Sequence, residues 1–177
     1  MNAQTILDAS KHVLQEYYPG YRVESFLPPD LLEICMGFLI EEKKEYHSNG
    51  QLWSQETYVN EKLHGEMKYW HENGHLLYQT TYVNGKKHGE SKKWYENGQL
   101  RSQENYVNGK KHGEWKEWHE NGQLRWQGTY VNGKQHGEYK EWHENGQLYT
   151  QTTFVNGKMH GDKKIWWENG QLYVDEV

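Results

Sequence analysis

Cysteine, proline and long apolar runs are scarce in this sequence of 177 residues. The single cysteine, Cys35, excludes an intramolecular disulfide and a zinc site built from cysteines alone. No stretch approaches the roughly 20 apolar residues that a membrane-spanning helix needs, and Asp8 stands where a signal peptide would be apolar. We therefore expect a soluble protein that resides in the cytoplasm.

Apolar side chains and excess charge are also limited. Only 34% of the residues are hydrophobic, which is little for one thick globular core. The 20 basic and 25 acidic residues leave a net charge of -5, which argues against a general attraction to nucleic acid or to an anionic membrane. Aromatic residues, in contrast, make up 15% of the chain. A disordered chain is poor in aromatic residues, so this one is expected to fold around its rings.

One dipeptide divides the chain at a constant interval, which is typical of a repeat architecture. Asn-Gly pairs lie 24 residues apart at Asn49-Gly50, Asn73-Gly74, Asn97-Gly98, Asn121-Gly122, Asn145-Gly146 and Asn169-Gly170. A second turn signal stands between these pairs at Asn60-Glu61, Asn84-Gly85, Asn108-Gly109, Asn132-Gly133 and Asn156-Gly157. Each repeat therefore contains two turns.

Two turns per repeat predict two short antiparallel strands per repeat, because Asn-Gly readily adopts the positive φ values of tight hairpin turns. In one repeat these strands are residues 99–107 and 112–119. The predicted fold class is mainly β, an elongated antiparallel β-meander of 24-residue hairpin repeats. Strand alternation predicts that Leu100 and Tyr106 share a face. Asn60-Glu61 is predicted to break its turn, because glutamate is disfavoured at positive φ.

Three series of apolar side chains recur with the repeat, and we interpret them as structural ladders. The first contains Leu52, Leu76, Leu100, Leu124, Leu148 and Leu172. The second contains Tyr58, Tyr82, Tyr106, Tyr130 and Phe154. The third contains Trp70, Trp94, Trp118, Trp142 and Trp166.

The segment 127–138, Gln-Gly-Thr-Tyr-Val-Asn-Gly-Lys-Gln-His-Gly-Glu, resembles the core of a MORN repeat. The Glu-Asn-Gly-Gln-Leu sequence at 120–124 is similar to the bacterial and viral variant of that family, including proteins classed as antitoxin-like. In most repeats the first glycine of the family pattern is replaced, by Glu56, Thr80, Glu104 and Thr152. MORN proteins are mainly scaffolds, adaptors and membrane-associated modules, so the resemblance implies a non-enzymatic scaffold that binds other molecules.

Residues 1–40 lack the repeat and show helical periodicity. Apolar residues in 4–18 recur at helical spacing, and Pro28-Pro29 starts a second helix that is apolar on much of its circumference. One interpretation is a helical cap that covers the first strand of the array. The chain then consists of this N-terminal segment, 1–40, and five full repeats with partial ends in 41–177.

The same segment supports a second interpretation. Residues 27–34 resemble the opening helix of an F-box, which docks substrate receptors onto the Skp1-type adaptor of a ubiquitin ligase, and proteins of large DNA viruses join such starts to these repeats. The repeats begin near Ile40, so the rest of a normal F-box is missing. The resemblance implies a substrate receptor in the host cytoplasm. Its adaptor contacts would be Leu27, Pro28, Leu31, Leu32 and Ile34.

The most variable positions of the repeats lie on the second strand, opposite the regularly spaced tryptophans. Exposed aromatic residues among mixed charges are typical of protein-binding surfaces. We predict that this face binds a protein partner through Trp115, His119, Tyr139, His143 and Trp167. A further candidate is a phospholipid surface held by Lys62, Lys86, Lys110, Lys134 and Lys158. Nucleic acid is the least expected partner.

No catalytic, cofactor or metal site is predicted. Histidines of the series that includes His112 and His136 lie about 10 Å apart in such a sheet, which is too far for two of them to bind one ion. Pairs such as Glu114 and Lys116 are typical of a solvated sheet surface. The last strand, 171–176, is predicted to be an edge that can pair with a second copy, which would form a homodimer.

Overall fold

The computed structural model describes residues 40–176, and all the strands in this range join one antiparallel sheet. The strands are β1 (Ile40–Tyr46), β2 (Leu52–Val59), β3 (Lys62–Leu63), β4 (Gly65–Trp70), β5 (Leu76–Val83), β6 (Lys86–Trp94), β7 (Leu100–Val107), β8 (Lys110–Lys111), β9 (Gly113–Trp118), β10 (Leu124–Val131), β11 (Lys134–Gln135), β12 (Gly137–Trp142), β13 (Leu148–Val155), β14 (Lys158–Met159), β15 (Lys163–Trp166) and β16 (Leu172–Glu176). The predicted helical cap and the F-box-like segment lie outside the described residues.

Each long strand pairs with the next long strand along the chain, so the sheet is an open meander. The two-residue strands β3, β8, β11 and β14 pair with the strand that precedes them in the chain. Within residues 40–176 no helix or second sheet covers either face. The predicted antiparallel meander is confirmed, as a single layer.

In the first set of turns, of which Asn49-Gly50 is the first member, glycine and asparagine have separate roles. Gly50 has a φ of 84°, in the left-handed region, whereas Asn49 is not among the residues with positive φ. The Asn49 side chain instead accepts a hydrogen bond from the Gln51 N–H, at 2.9 Å, and donates one to the Glu72 carbonyl, at 2.9 Å. Glu72 belongs to the next repeat, so this side chain joins two repeats. We call the hydrogen bond from the asparagine to the carbonyl of the next repeat the asparagine staple. The same asparagine staple joins Asn73 to Glu96, Asn121 to Glu144 and Asn145 to Glu168.

The second set of turns has two consecutive residues with positive φ, as a type I′ hairpin turn requires. Asn84 and Gly85 have φ values of 50° and 75°. Asn60 and Glu61 have values of 49° and 64°. The prediction that Asn60-Glu61 breaks its turn is therefore wrong, because Glu61 enters the left-handed region that glycine occupies in the later repeats.

A β-bulge near the start of each long first strand changes which residues share a face. Leu100 pairs with Trp94, but the next pair joins Ser102 to Lys93. Because Trp94 and Lys93 are adjacent, they point to opposite faces, and so do Leu100 and Ser102. Tyr106 alternates regularly with Ser102, so the prediction that Leu100 and Tyr106 share a face is wrong.

The sheet has very little enclosed core. Among the described residues, the only buried hydrophobic side chains are Val59, Met67 and Tyr78, each at most 9% exposed. The ladder residues, such as Trp118 and Tyr106, are mostly half-buried. Neighbouring side chains on the same face, rather than a second layer, therefore shield the apolar groups from water.

Candidate functional site

Cross-strand pairing assigns side chains to the two faces, because residues directly opposite each other share a face. One row, on what we call the aromatic face, contains Ser102, Glu117, Trp126, Glu141 and Thr150. The adjacent row, on what we call the polar face, contains Gln103, Lys116, Gln127, Lys140 and Gln151.

The polar face carries charges that are paired with one another. Lys68 lies 2.6 Å from Glu66, and Gln79 donates a hydrogen bond to the other oxygen of the same carboxylate at 2.7 Å. The hydrogen bond from Lys68 holds the pKa of Glu66 below its usual value. The pattern recurs in later repeats at Lys92–Glu90, Lys116–Glu114 and Lys140–Glu138. These contacts fit the predicted solvated sheet surface.

The aromatic face carries a continuous run of rings across β9, β10, β12 and β13. The ring centroids of Trp115 and Trp126 lie 4.4 Å apart, and those of Trp126 and Tyr139 lie 5.5 Å apart. Tyr139 in turn contacts Phe154 at 5.8 Å. All four residues are half-buried. Gly128 lies beneath the run, in contact with the Trp126 and Tyr139 rings.

Toward β1 the same face carries a second group of rings, together with hydrogen bonds from tyrosines to a carboxylate. Trp53, Tyr69 and Tyr78 stack in sequence, with centroid distances of 5.3 and 6.2 Å. The Glu56 carboxylate accepts hydrogen bonds from the Tyr58 and Tyr69 hydroxyls, each at 2.5 Å. The hydrogen bond to Glu56 and partial burial together raise the pKa of Tyr58 to about 12.

Lys111 also lies on the aromatic face, since it pairs with Tyr106 across the strands. Its Nζ lies 2.7 Å from the Trp115 ring centroid and 5.4 Å from that of Tyr130. The Glu104 carboxylate is 3.6 Å from the same Nζ, and the side chain of Glu104 is only 9% exposed. Burial holds the pKa of Lys111 below its usual value, against the opposing effect of Glu104. Tyr106 donates a hydrogen bond to the same Glu104 oxygen.

The ring run borders an open groove of about 380 Å³. Thr150 and Thr152, each 5% exposed, are the most buried of the residues that line it. The other residues lining it are Trp126, Gln135, Tyr139, Glu141, Tyr149, Phe154, Met159, Lys163 and Ile165.

The structure separates the predicted contact residues into different places. Trp115 and Tyr139 lie together on the aromatic face, and both contact Trp126. His119 and His143 lie at repeat junctions, where the ring Nε2 of each bonds to a backbone carbonyl of the following repeat, Trp142 at 3.0 Å and Trp166 at 3.1 Å. The two histidines therefore join repeats.

Trp167 lies at the end of the described array and is 54% exposed. Its ring packs edge-on against Tyr173 at 4.4 Å, and both residues line a groove of about 750 Å³ that His143 and Tyr149 also border. The remaining predicted contacts, Leu27, Pro28, Leu31, Leu32 and Ile34, lie outside the described residues.

Sequence reasoning missed Trp126, Phe154 and Lys111 as parts of this site. It considered only the second strand of each repeat, because the bulge in the first strand was not visible in the pattern. A signal for Lys111 was present, however. The position that follows the lysine of each Asn-Gly-Lys turn is Lys87 and Lys111 in two consecutive repeats, but Gln135 in the next one.

Residues 40–176 contain no group of three or more His, Cys, Asp or Glu side chains arranged to hold a metal ion. In the same range, no helix is long and apolar enough to cross a membrane.

The structure has weak similarity to two crystal structures of the protein TarM. The first is of TarM, with 12% identity and a TM-score of 0.34. The second is of a point mutant of TarM from S. aureus in complex with Fondaparinux, alpha-GlcNAc-glycerol and UDP, with 11% identity and a TM-score of 0.35. The alignments cover 88% and 87% of this chain but only 26% and 27% of those chains, so this chain spans about a quarter of their length.

No curated protein sequence matches this chain significantly. The family model described as the MORN repeat variant, in contrast, matches six consecutive segments: 42–60, 63–84, 87–108, 111–132, 135–156 and 159–176. These segments follow the hairpins of the sheet one after another. The chain therefore belongs to the MORN repeat variant family.

Proposed function

We propose that the repeat array is a non-enzymatic scaffold that binds a protein partner on its aromatic face. MORN repeats are generally protein- or membrane-interaction repeats. The observation that carries the proposal is the continuous run of Trp115, Trp126, Tyr139 and Phe154, which no other element in residues 40–176 covers. Half-buried aromatic rings supply much of the binding energy at protein interfaces, because they bury large areas with few rotatable bonds.

The polar face is the less suitable of the two surfaces. Its carboxylates already bond to lysines and glutamines of the same face. A partner that binds there must desolvate paired charges, which returns little net affinity. The contrast between the faces therefore favours the aromatic face.

Affinity capture from a lysate of the source organism tests this proposal. The compared proteins are the full chain, an aromatic-face variant with Trp126→Ser and Tyr139→Ser, and a matched polar-face variant with Lys116→Ser and Lys140→Ser. We expect the full chain and the polar-face variant to capture the same proteins and the aromatic-face variant to lose them, while circular dichroism shows all three folded. Capture that is equal for both variants, or lost only with the polar-face variant, would contradict the proposal.

A second candidate function rests on the row of turns that includes Asn84-Gly85 and Asn108-Gly109. Five exposed lysines follow one another along this row. The turns that carry them are in contact, since the Gly109 N–H donates to the Lys87 carbonyl and the Gly133 N–H to the Lys111 carbonyl, each at 2.8 Å. These lysines are Lys62, Lys86, Lys110, Lys134 and Lys158. Such a row favours an anionic lipid surface, since each lysine near it contributes about 1 kcal/mol.

Sedimentation with phosphatidylserine vesicles tests the lipid function. The full chain is expected to bind at low salt and to be released at high salt, because the attraction is screened. Replacement of Lys86, Lys110 and Lys134 by Gln is expected to abolish binding. If the full chain stays in solution at low salt, this row of lysines has no lipid function.

A further inference from the structure

In two consecutive repeats a lysine of the chain itself lies over aromatic rings, and in the second of them it also lies beside a carboxylate. Lys87 lies 5.3 Å from the Tyr78 ring and 5.0 Å from the Tyr106 ring. Lys111, 24 residues later, lies over Trp115 and 3.6 Å from Glu104. A cation held over an aromatic face and beside a carboxylate gains both a cation–π and an ionic interaction.

The next repeat has the rings but lacks the lysine. Gln135 stands 24 residues after Lys111 and borders the groove of about 380 Å³ beside Trp126, Tyr139 and Phe154. The Tyr139 hydroxyl donates a hydrogen bond to Glu141 at 3.0 Å, as the Tyr106 hydroxyl does to Glu104. The position equivalent to Glu104 in this repeat is Gly128, so the carboxylate that lines the groove is Glu141 instead, and the groove remains open.

Charge in this part of the aromatic face also favours a cation. Glu117 and Glu141 lie directly on either side of Trp126 in the cross-strand row. The basic residue among those lining the groove is Lys163, on β15. Since Trp126 and Tyr139 lie on the β10 and β12 side with both carboxylates, a cation that enters there meets negative charge first.

We propose that this groove binds a lysine side chain of a protein partner, in the way that Lys111 fills the preceding site. The proposal rests on the proposed scaffold function and names the chemistry that the partner must present. The ammonium group would lie over the Trp126 and Tyr139 rings beside Glu141. The aliphatic stem would pack on Phe154 and Met159, which border the same groove.

A titration followed by NMR of the Trp126 indole N–H tests this without any knowledge of the partner. The probe is Nα-acetyl-lysine methylamide, and the matched control probe is the same compound with its ε-amine acetylated, which keeps the stem and removes the charge. We expect the charged probe to shift the Trp126 signal and to bind roughly tenfold more tightly than the neutral one, a factor typical of one desolvated cation–π contact.

Two variants make the test specific to the groove. Gln135→Lys supplies the internal lysine of the preceding repeats and is expected to abolish binding, whereas Lys134→Gln changes an exposed neighbour on the same turn and is expected to leave it unchanged. Lys111→Ala empties the preceding site and is expected to create a second site, detected at the Trp115 indole N–H. Glu141→Gln is expected to weaken binding roughly tenfold, since it removes the charge beside the rings.

The proposal is overturned if the neutral probe binds as well as the charged one, or if Gln135→Lys binds like the unchanged chain. Tighter binding of the trimethylated lysine probe than of lysine would also overturn it, in favour of a methylated partner. The small probes need no partner, so a failed titration leaves the scaffold function standing. Failure of the affinity capture, conversely, leaves the titration interpretable.

Discussion

Glu61 occupies a backbone conformation that the four later repeats assign to glycine, at Gly85, Gly109, Gly133 and Gly157. Its φ of 64° brings the β-carbon close to the backbone, and that crowding costs a non-glycine residue about 1 kcal/mol or more. Glu61→Gly is therefore expected to raise the free energy of unfolding by about 0.5–1 kcal/mol, the remainder being offset by the greater freedom of glycine in the unfolded chain. Urea denaturation followed by tryptophan fluorescence measures the change.

Gly85→Ala provides the opposite control at the equivalent position. A β-carbon at Gly85 would have free space, with its nearest neighbour, the Lys62 Cβ, at 4.0 Å, so only the φ of 75° opposes it. The substitution is expected to destabilise the chain by about 1 kcal/mol. Equal urea midpoints for the unchanged chain and both variants would show that these turns do not limit stability.

Tyr58 makes the stability of the array depend on alkaline pH. Its pKa is raised from about 10 to about 12 by the hydrogen bond to Glu56 and by partial burial, so the folded chain holds this proton more tightly than the unfolded chain does. The resulting stabilisation is complete below pH 10 and is lost as the pH rises from 10 toward 12. Tyr58→Phe is expected to make the decline of unfolding free energy with pH less steep in this window. Unchanged steepness would show that Tyr58 ionises equally in both states.

At the scale of the hairpin, the asparagine staple explains how neighbouring repeats hold one register. The Asn121 amide donates to the Glu144 carbonyl at 2.8 Å, while its oxygen accepts from the Gln123 N–H at 2.9 Å. Asn97 has the second of these bonds but, among the described residues, no staple to the next repeat. The two positions are therefore a matched pair.

Asn121→Asp keeps the acceptor and removes the donor, so it is expected to destabilise the array by about 1 kcal/mol. Asn97→Asp introduces the same charge in the same kind of turn and is expected to cost clearly less. Comparison of the two urea midpoints isolates the staple. An equal loss at both positions would assign the effect to charge repulsion between the turns instead.

The turns and strands of each hairpin were predictable because Asn-Gly is a local signal. The bulges were not, since a register shift such as that between Leu100 and Ser102 depends on how two strands pair. That shift moves the leucine ladder away from the Tyr106 side of the sheet. It also explains why Trp126, on a first strand, was missed as a partner of Trp115 and Tyr139.

For the molecule as a whole, the repeat period predicted an antiparallel β-meander, and the structure confirms it as an open sheet. The sequence predicted that Trp115 and Tyr139 share a face, because both positions vary where the repeat is otherwise regular, and both rings contact Trp126 on the aromatic face. Their role in binding a partner stays a prediction. The repeat position of His119 and His143 varies less than that of Trp115 and Tyr139. The sequence does not show the reason, which is that both histidine rings bond to the next repeat. A single-layer array thus needs junction residues in addition to its exposed ones.

The aromatic face, and not the polar face, is the surface proposed to meet a protein partner. Trp126 and Gln127 are adjacent in β10 and point to opposite faces, so a photocrosslinking amino acid at either position samples one face only. Irradiation in cells of the source organism is predicted to give a protein crosslink from position 126 and none from position 127. A crosslink from position 127, alone or together with one from position 126, would contradict the assignment of the partner to the aromatic face.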